Sequence, residues 1–295
     1  MSRPVAVVSV DVDPVDLHLV GYGFRGSPPD PQVMDVALPR LLDLLARLGL
    51  PTTLFVVARD AASHAAMLQR AVRDGHEIAS HTWSHPLRFA GLPAADQERE
   101  LRDSKAALEA ASGREVIGFR APNFDMNAEA LVRLVKCGYH YDASGYPSPM
   151  LMPARMLLAL KSRSPREVLS MSPWPFTWRR LPHRWERGGK SLTEYPVAVT
   201  PGLRVPVYHT LRHYTSDASF ERSIEGFAKR GELLSYVLHG VDVLGMSEDS
   251  VDSRLAQHPG MERSLERKLA TLERTLVALA TRFELRTYAS LPPAA

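Results

Sequence analysis

Two carboxylates two positions apart, Asp11 and Asp13, and two imidazoles four apart, His81 and His85, are the residues whose types and spacing suit chemistry. On a helical turn the His81/His85 spacing puts both rings on one face, suited to gripping one metal ion. Two histidines and one aspartate make a three-ligand site with open positions, as a catalytic zinc requires. The second aspartate can then act as a base, which must reach a water without being tied up as a ligand. The residue types leave open which aspartate has which task. His239, far along the chain, offers a general acid for a leaving nitrogen. Each fragment alone also has a plain structural reading: polar surface histidines, an Asp-Pro turn, a satisfied buried imidazole.

The elements around these residues favour chemistry. Short β-branched runs alternate with helical periodicity, the pattern of βα units and a mostly parallel sheet. Strands are expected over 5–10, 52–57, 77–80, 116–119, 139–141, 194–199, 233–238 and 284–288. Helices are expected over 39–48, 65–74, 94–111, 128–137, 218–229 and 263–281, several closed by a glycine. Asp11 and Asp13, then His81 and His85, then Arg120, Asp142 and His239 each follow an expected strand. In a parallel barrel all of these converge on the C-terminal face, where barrel sites are built. A doubly wound open sheet is the competing arrangement.

The same residues resemble the polysaccharide deacetylases, the NodB-homology group of family four carbohydrate esterases. Ser9-Val10-Asp11-Val12-Asp13-Pro14 resembles their Asp-rich strand end, and His81-Thr82-Trp83-Ser84-His85 their paired-histidine motif. Arg120-Ala121-Pro122-Asn123-Phe124, Asp142 in Tyr141-Asp142-Ala143-Ser144, and Val237-Leu238-His239 resemble the third, fourth and fifth motifs. The resemblance implies an α/β fold, a single distorted (β/α)7 TIM-like barrel over 1–295. It implies a divalent metal, zinc first, and removal of an N-acetyl or N-formyl group from an amino sugar. Carried over, Asp13, His81 and His85 bind the metal, Asp11 is the base and Arg120 holds it. His239 is the acid, oriented by Asp142. The backbone near Asn123 helps hold an oxyanion, with Pro122 and Trp83 as further substrate contacts. Two departures stand out. Val12 separates aspartates that most members have adjacent, a form resembling deformylases of lipid-linked sugars, and no tryptophan follows Asp142. A ring opener of cyclic imides or allantoin-like amides on the same barrel is the rival activity.

The chain has 295 residues, 45% apolar and 23% charged, with net charge +3 and one cysteine. That is globular composition without an intrachain disulfide. The charge is too weak to imply nucleic-acid binding, and no recognition helix or base-stacking sheet is visible. No apolar run approaches the ~18–20 residues that span a bilayer, and no secretory signal pattern opens the chain. The expected setting is cytoplasmic. The sequence sets no oligomeric state. One stretch differs from the rest, an insertion over about 145–192. Within 161–190 eight Lys and Arg face two Glu, net +6, with three of the four tryptophans. The plain expectation is a covering loop with snorkelling arginines. The sharper one is a basic, aromatic lobe that recognises a lipid- or phosphate-linked glycan and makes peripheral contact with an anionic inner-membrane surface. A non-catalytic glycan-binding barrel would tolerate loss of one reactive residue, and none is missing.

Overall fold

The computed structural model describes residues 3–294. In chain order the strands are β1 (Val5–Val12), β2 (Thr53–Val56), β3 (Glu77–Ser80), β4 (Gly118–Phe119), β5 (Tyr141–Asp142), β6 (His183–Arg187), β7 (Lys190–Glu194), β8 (Leu234–His239) and β9 (Glu284–Leu285). The α-helices are α1 (Val15–Gly21), α2 (Leu38–Leu48), α3 (Ala65–Arg73), α4 (Ala94–Ser112), α5 (Ala128–Lys136), α6 (Leu151–Lys161), α7 (Pro165–Leu169), α8 (His209–Arg212), α9 (Asp217–Arg230) and α10 (Leu265–Arg282).

Seven parallel strands run β7-β5-β4-β3-β2-β1-β8, with β6 antiparallel on the outer edge of β7 and β9 on the start of β1. The ladder is open between β7 and β8. There the chain after β7 leans across: the Tyr195 and Val197 amides donate to the Asp142 and Gly145 carbonyls, and the Ala198 amide donates to the Ser235 carbonyl of β8. The result is a distorted α/β barrel with one irregular seam.

The pleat of β1 decides what the barrel holds. Ala6, Val8, Val10 and Val12 belong to the large core shared with the helices. Val7 packs in a separate cluster with Phe55, Tyr141, Tyr195 and Tyr288, which plugs the barrel. Side chains alternate along a strand, so Ser9 and Asp11 point the same way as Val7, stacked towards the C-terminal mouth. Gly118 makes room within this plug, because a Cβ there would meet the Tyr141 ring at 2.0 Å.

The expected strand over 194–199 is displaced. It ends at Glu194, because Pro196 has no amide to donate, and it begins at Lys190 as one arm of a hairpin. Gly188 and Gly189, both at positive φ, form that hairpin's two-residue turn. The insertion therefore ends inside the sheet. Its earlier part is α6 and α7. Its tryptophans do not face out as a lobe surface. Trp178 is buried, Trp174 meets it edge-on at 5.0 Å, and Trp185 packs partly buried against the core. Its arginines are partly spent as well. Arg180 pairs with Glu232 (2.5 Å), Arg184 with Glu186 (2.6 Å) and Arg187 with Glu129 (2.9 Å).

Candidate active site

Register brings the site together. In the parallel ladders Asp11 lies opposite Phe55 of β2 and His239 of β8, all at strand ends. Arg120 leaves the end of β4 with its amide on the Ser80 carbonyl. Its buried guanidinium donates Nη1 to Asp11 Oδ1 (2.5 Å), Nη2 to Ser9 Oγ (2.9 Å) and Nε to the Ala143 carbonyl (3.0 Å). It sits 4.0 Å from the Phe55 ring centroid. Burial alone would push the Asp11 carboxyl up. Arg120, His81 and His239 outweigh it and hold Asp11 below its ordinary value, ionised.

Asp13 lies one step further out and has no arginine. Its carboxylate faces three imidazole nitrogens: Nε2 of His81 at 3.3 Å, of His85 at 3.8 Å and of His18 at 3.9 Å. Nδ1 of His81 meets the Arg120 carbonyl at 2.7 Å, which requires the proton on Nδ1 and leaves Nε2 as a lone pair. Burial pushes His81 down to about 4 and His85 well below its usual value, so both are neutral at pH 7. Asp13 is pushed up by burial and by the neighbouring Asp11 charge. Asp13 Oδ1 is buried without a hydrogen-bond partner. A carboxylate oxygen and two imidazole lone pairs, all within 4.8 Å of one another, fit a divalent cation.

The two histidines do not reach this geometry on a helical turn, as the spacing suggested. Thr82 and His85 have φ of 69° and 55°, so the segment is an irregular loop. Glu100 of α4 holds it, accepting from the Trp83 and Ser84 amides and the Ser84 hydroxyl, while Thr82 Oγ1 accepts from the His85 amide. The close approach of His81 and His85 is thus tertiary work.

His239 Nε2 stands 3.8 Å from Asp11 Oδ2. Asp142 does not stand beside it, and that expected contact is corrected. Asp142 accepts from the Ser144 hydroxyl (2.6 Å), Ser144 in turn accepts from the Ala121 amide (2.8 Å), and the other side faces Glu194. Burial pushes Asp142 up to about 6 and Glu194 well above its usual value. The carboxylate near His239 is Asp242, three residues on. Its Oδ2 accepts the His239 amide (2.8 Å) and lies 4.0 Å from Nδ1, and its Oδ1 faces His213 Nε2 at 3.4 Å. Despite burial, His213, His209 and His239 together hold Asp242 far below its ordinary value.

A cavity of about 230 Å³ opens above Asp11 and Asp13. One side is an arc of imidazoles: His85, His239, His18 and His258. The Nε2 atoms of His18 and His258 are buried and unpartnered, and Tyr22 Oη meets His258 Nδ1 at 3.2 Å. The lining also includes hydrocarbon from Leu17, Val20, Leu87, Leu158 and Met171. Asn123 and Phe124 also line it, both at positive φ near 54°. Pro122 and Trp83 do not: Pro122 is buried beneath Asn123, and Trp83 is 37% exposed on the outside of its loop. Sequence reasoning missed His18 and His258. His18 follows Asp13 by five positions on α1, a spacing that signals nothing, and His258 comes from a distant loop.

Residues 30–141 match the Polysaccharide deacetylase family model. A peptidoglycan deacetylase of Helicobacter pylori is 30% identical over 149 residues, 49% of this chain and 50% of that protein, so the chain spans about half the length of that relative. Among solved structures, a family 4 carbohydrate esterase from Streptomyces lividans superposes with TM-score 0.52 at 15% identity, covering 97% of this chain and 93% of that one. An allantoinase superposes with TM-score 0.58 at 16% identity, covering 96% and 86%. Both likenesses are of fold, the NodB-type (β/α)7 barrel. The motifs, the barrel and this sequence match agree on one likeness, that of residues 30–141 to the polysaccharide deacetylase family.

Proposed function

We propose that this protein is a metal-dependent hydrolase that removes an N-acyl group, acetyl or formyl, from an amino sugar in a glycan carried on a lipid or phosphate. What carries this is the contrast between two buried aspartates two residues apart. Asp11 has one oxygen held by Arg120 and the other turned towards His239 at the cavity, whereas Asp13 has an unpartnered oxygen beside two neutral imidazoles. The first is prepared as a base and the second as a ligand.

Asp13, His81 and His85 would hold the ion, zinc first among candidates. A divalent metal there supplies Lewis-acid chemistry, polarising an acyl oxygen and easing the ionisation of water. Asp11, ionised and pinned by Arg120, takes the proton of the attacking water. His239, across the Asp11 carboxylate, delivers a proton to the departing nitrogen, with Asp242 rather than Asp142 as its neighbouring charge. The positive-φ backbone at Asn123 and Phe124 lies on the cavity wall; the Phe124 amide is donated to the Ala121 carbonyl, and the Asn123 amide is the one that can meet developing negative charge. The arc of His18 and His258 offers two further polar contacts to substrate. The proposed setting is the cytoplasm, with peripheral contact at the inner membrane face.

The test is a screen of metal-loaded protein against N-acetyl and N-formyl amino sugars, free and lipid-phosphate-linked, and against cyclic imides and allantoin. Release of acetate or formate from the sugars is the expected result. Ring opening without release of acid overturns the sugar reading in favour of the rival amide.

A further inference from the structure

We propose that the outer face of α6, continued onto α7, docks on an anionic phospholipid bilayer and sets the cavity beneath it to receive an amino sugar bearing a hydrocarbon chain. This rests on the N-deacylase reading for its chemistry and adds where the substrate comes from.

Helix α6 has two apolar faces. Leu151 and Leu158 turn inward and line the catalytic cavity, anchored by Arg155, which donates to the Asn123 and Ser172 carbonyls. Met156, Leu157 and Leu160 turn outward, exposed by 58%, 56% and 84%, and Leu169 of α7 adds 53%. Single exposed leucines are ordinary. Here six of the eleven large apolar side chains exposed among the described residues fall within 150–181, which marks a contact surface rather than scatter.

Charge names the partner. Lys161, Arg163 and Arg166 are exposed on the same stretch. The nearest acid, Glu167, is paired with Arg25. Hydrocarbon rimmed by cations with no free acid is complementary to an anionic lipid surface and unfavourable for two copies meeting face to face. The inner wall agrees. Beside the polar groups that can meet a sugar, the cavity is lined by Leu17, Val20, Leu87, Leu158 and Met171, hydrocarbon that an alkyl chain covers favourably.

The experiment is sedimentation with vesicles of phosphatidylcholine with and without phosphatidylglycerol. It compares wild type, Met156→Ser/Leu157→Ser/Leu160→Ser and Lys161→Glu/Arg166→Glu. Hydrolysis of a water-soluble N-acetyl amino sugar and the oligomeric state are measured in parallel. Wild type should bind anionic vesicles. The charge reversal should weaken binding about 30-fold or more, since each cation contributes ~1 kcal/mol at such a surface. The serine variant should lose binding while hydrolysing the soluble sugar as wild type does. Failure of wild type to bind, equal binding by the serine variant, or a dimer that only the serine variant dissolves overturns the docking surface. Vesicle binding without any sugar hydrolysis upholds the surface and refutes the deacylase reading alone.

Discussion

Asp142→Asn separates a structural carboxyl from a catalytic one. Asp142 is buried with its Oδ1 on the Ser144 hydroxyl and its Oδ2 towards Glu194. Burial raises its pKa from 3.8 to about 6. An acid whose folded pKa is raised holds its proton more tightly when folded. The stability it lends is therefore full below the unfolded value and is lost as pH rises through the folded one. A rise of this size corresponds to about 3 kcal/mol lost between roughly pH 4 and pH 7 and constant beyond. Asparagine is neutral, nearly the same shape, can accept from Ser144 and can donate to the orphaned Glu194 oxygen. Urea unfolding of both proteins at pH 4.5 and pH 8 reads the effect of Asp142 together with that of its contact Glu194, whose raised pKa owes part of its rise to Asp142. The variant should gain about 2 kcal/mol on wild type between the two pH values, with hydrolysis changed less than several-fold. Parallel stabilities at both pH values refute the buried-proton account. A loss of ~10²-fold or more in rate with the metal retained would return Asp142 to the role of orienting His239.

Three further substitutions probe the mouth of the barrel. His85→Ala should lose bound metal and activity together, and full occupancy by elemental analysis would remove His85 from the ligand set. Asp11→Asn should keep the metal yet lose roughly 10²–10⁴-fold in rate, and a metal-free variant would exchange the tasks of Asp11 and Asp13. Arg120→Met should destabilise the fold by about 3–5 kcal/mol in chemical denaturation, because it leaves the Asp11 charge buried and unpaired. A loss below ~1 kcal/mol would mean that water takes the place of the Arg120 guanidinium beside Asp11.

The parts legible in the sequence are those set by local period and by strand ends. The β-branched run of β1 announces itself, and the odd positions that carry Val7, Ser9 and Asp11 inward follow from the pleat alone. The convergence of Asp11, His81, Arg120 and His239 follows once the strands are parallel. What was hidden depends on tertiary packing. The Glu100 clamp on the histidine loop crosses 16 positions, and His258 reaches the cavity from the far end of the chain. Asp142 and Asp242 both sit by strand ends, and only the register of β8 on β1, with His239 opposite Asp11, puts Asp242 next to the acid. The double glycine before Lys190 was a readable hairpin signal, obscured by the aromatic and basic residues around it.

The charges at the mouth favour a cation at Asp13 over a second arginine. Asp11 and Asp13 are both buried, and Arg120 offsets only the first. Among the described residues, the groups of basic residues within 4.0 Å of Asp13 are the imidazoles of His18, His81 and His85. Burial keeps all three neutral. Protonating one of them would neutralise Asp13, but it would consume a lone pair and leave the mouth with no excess positive charge. A divalent ion held by Asp13, His81 and His85 would satisfy the orphaned oxygen and both lone pairs and would leave the mouth one unit positive. That sign suits a reaction in which negative charge grows on an acyl oxygen. A second arginine would likewise only neutralise Asp13, supplying neither the excess charge nor the open coordination. The two aspartates therefore differ in their surroundings: Asp11 has a permanent partner in Arg120, and Asp13 has none but the neutral imidazoles.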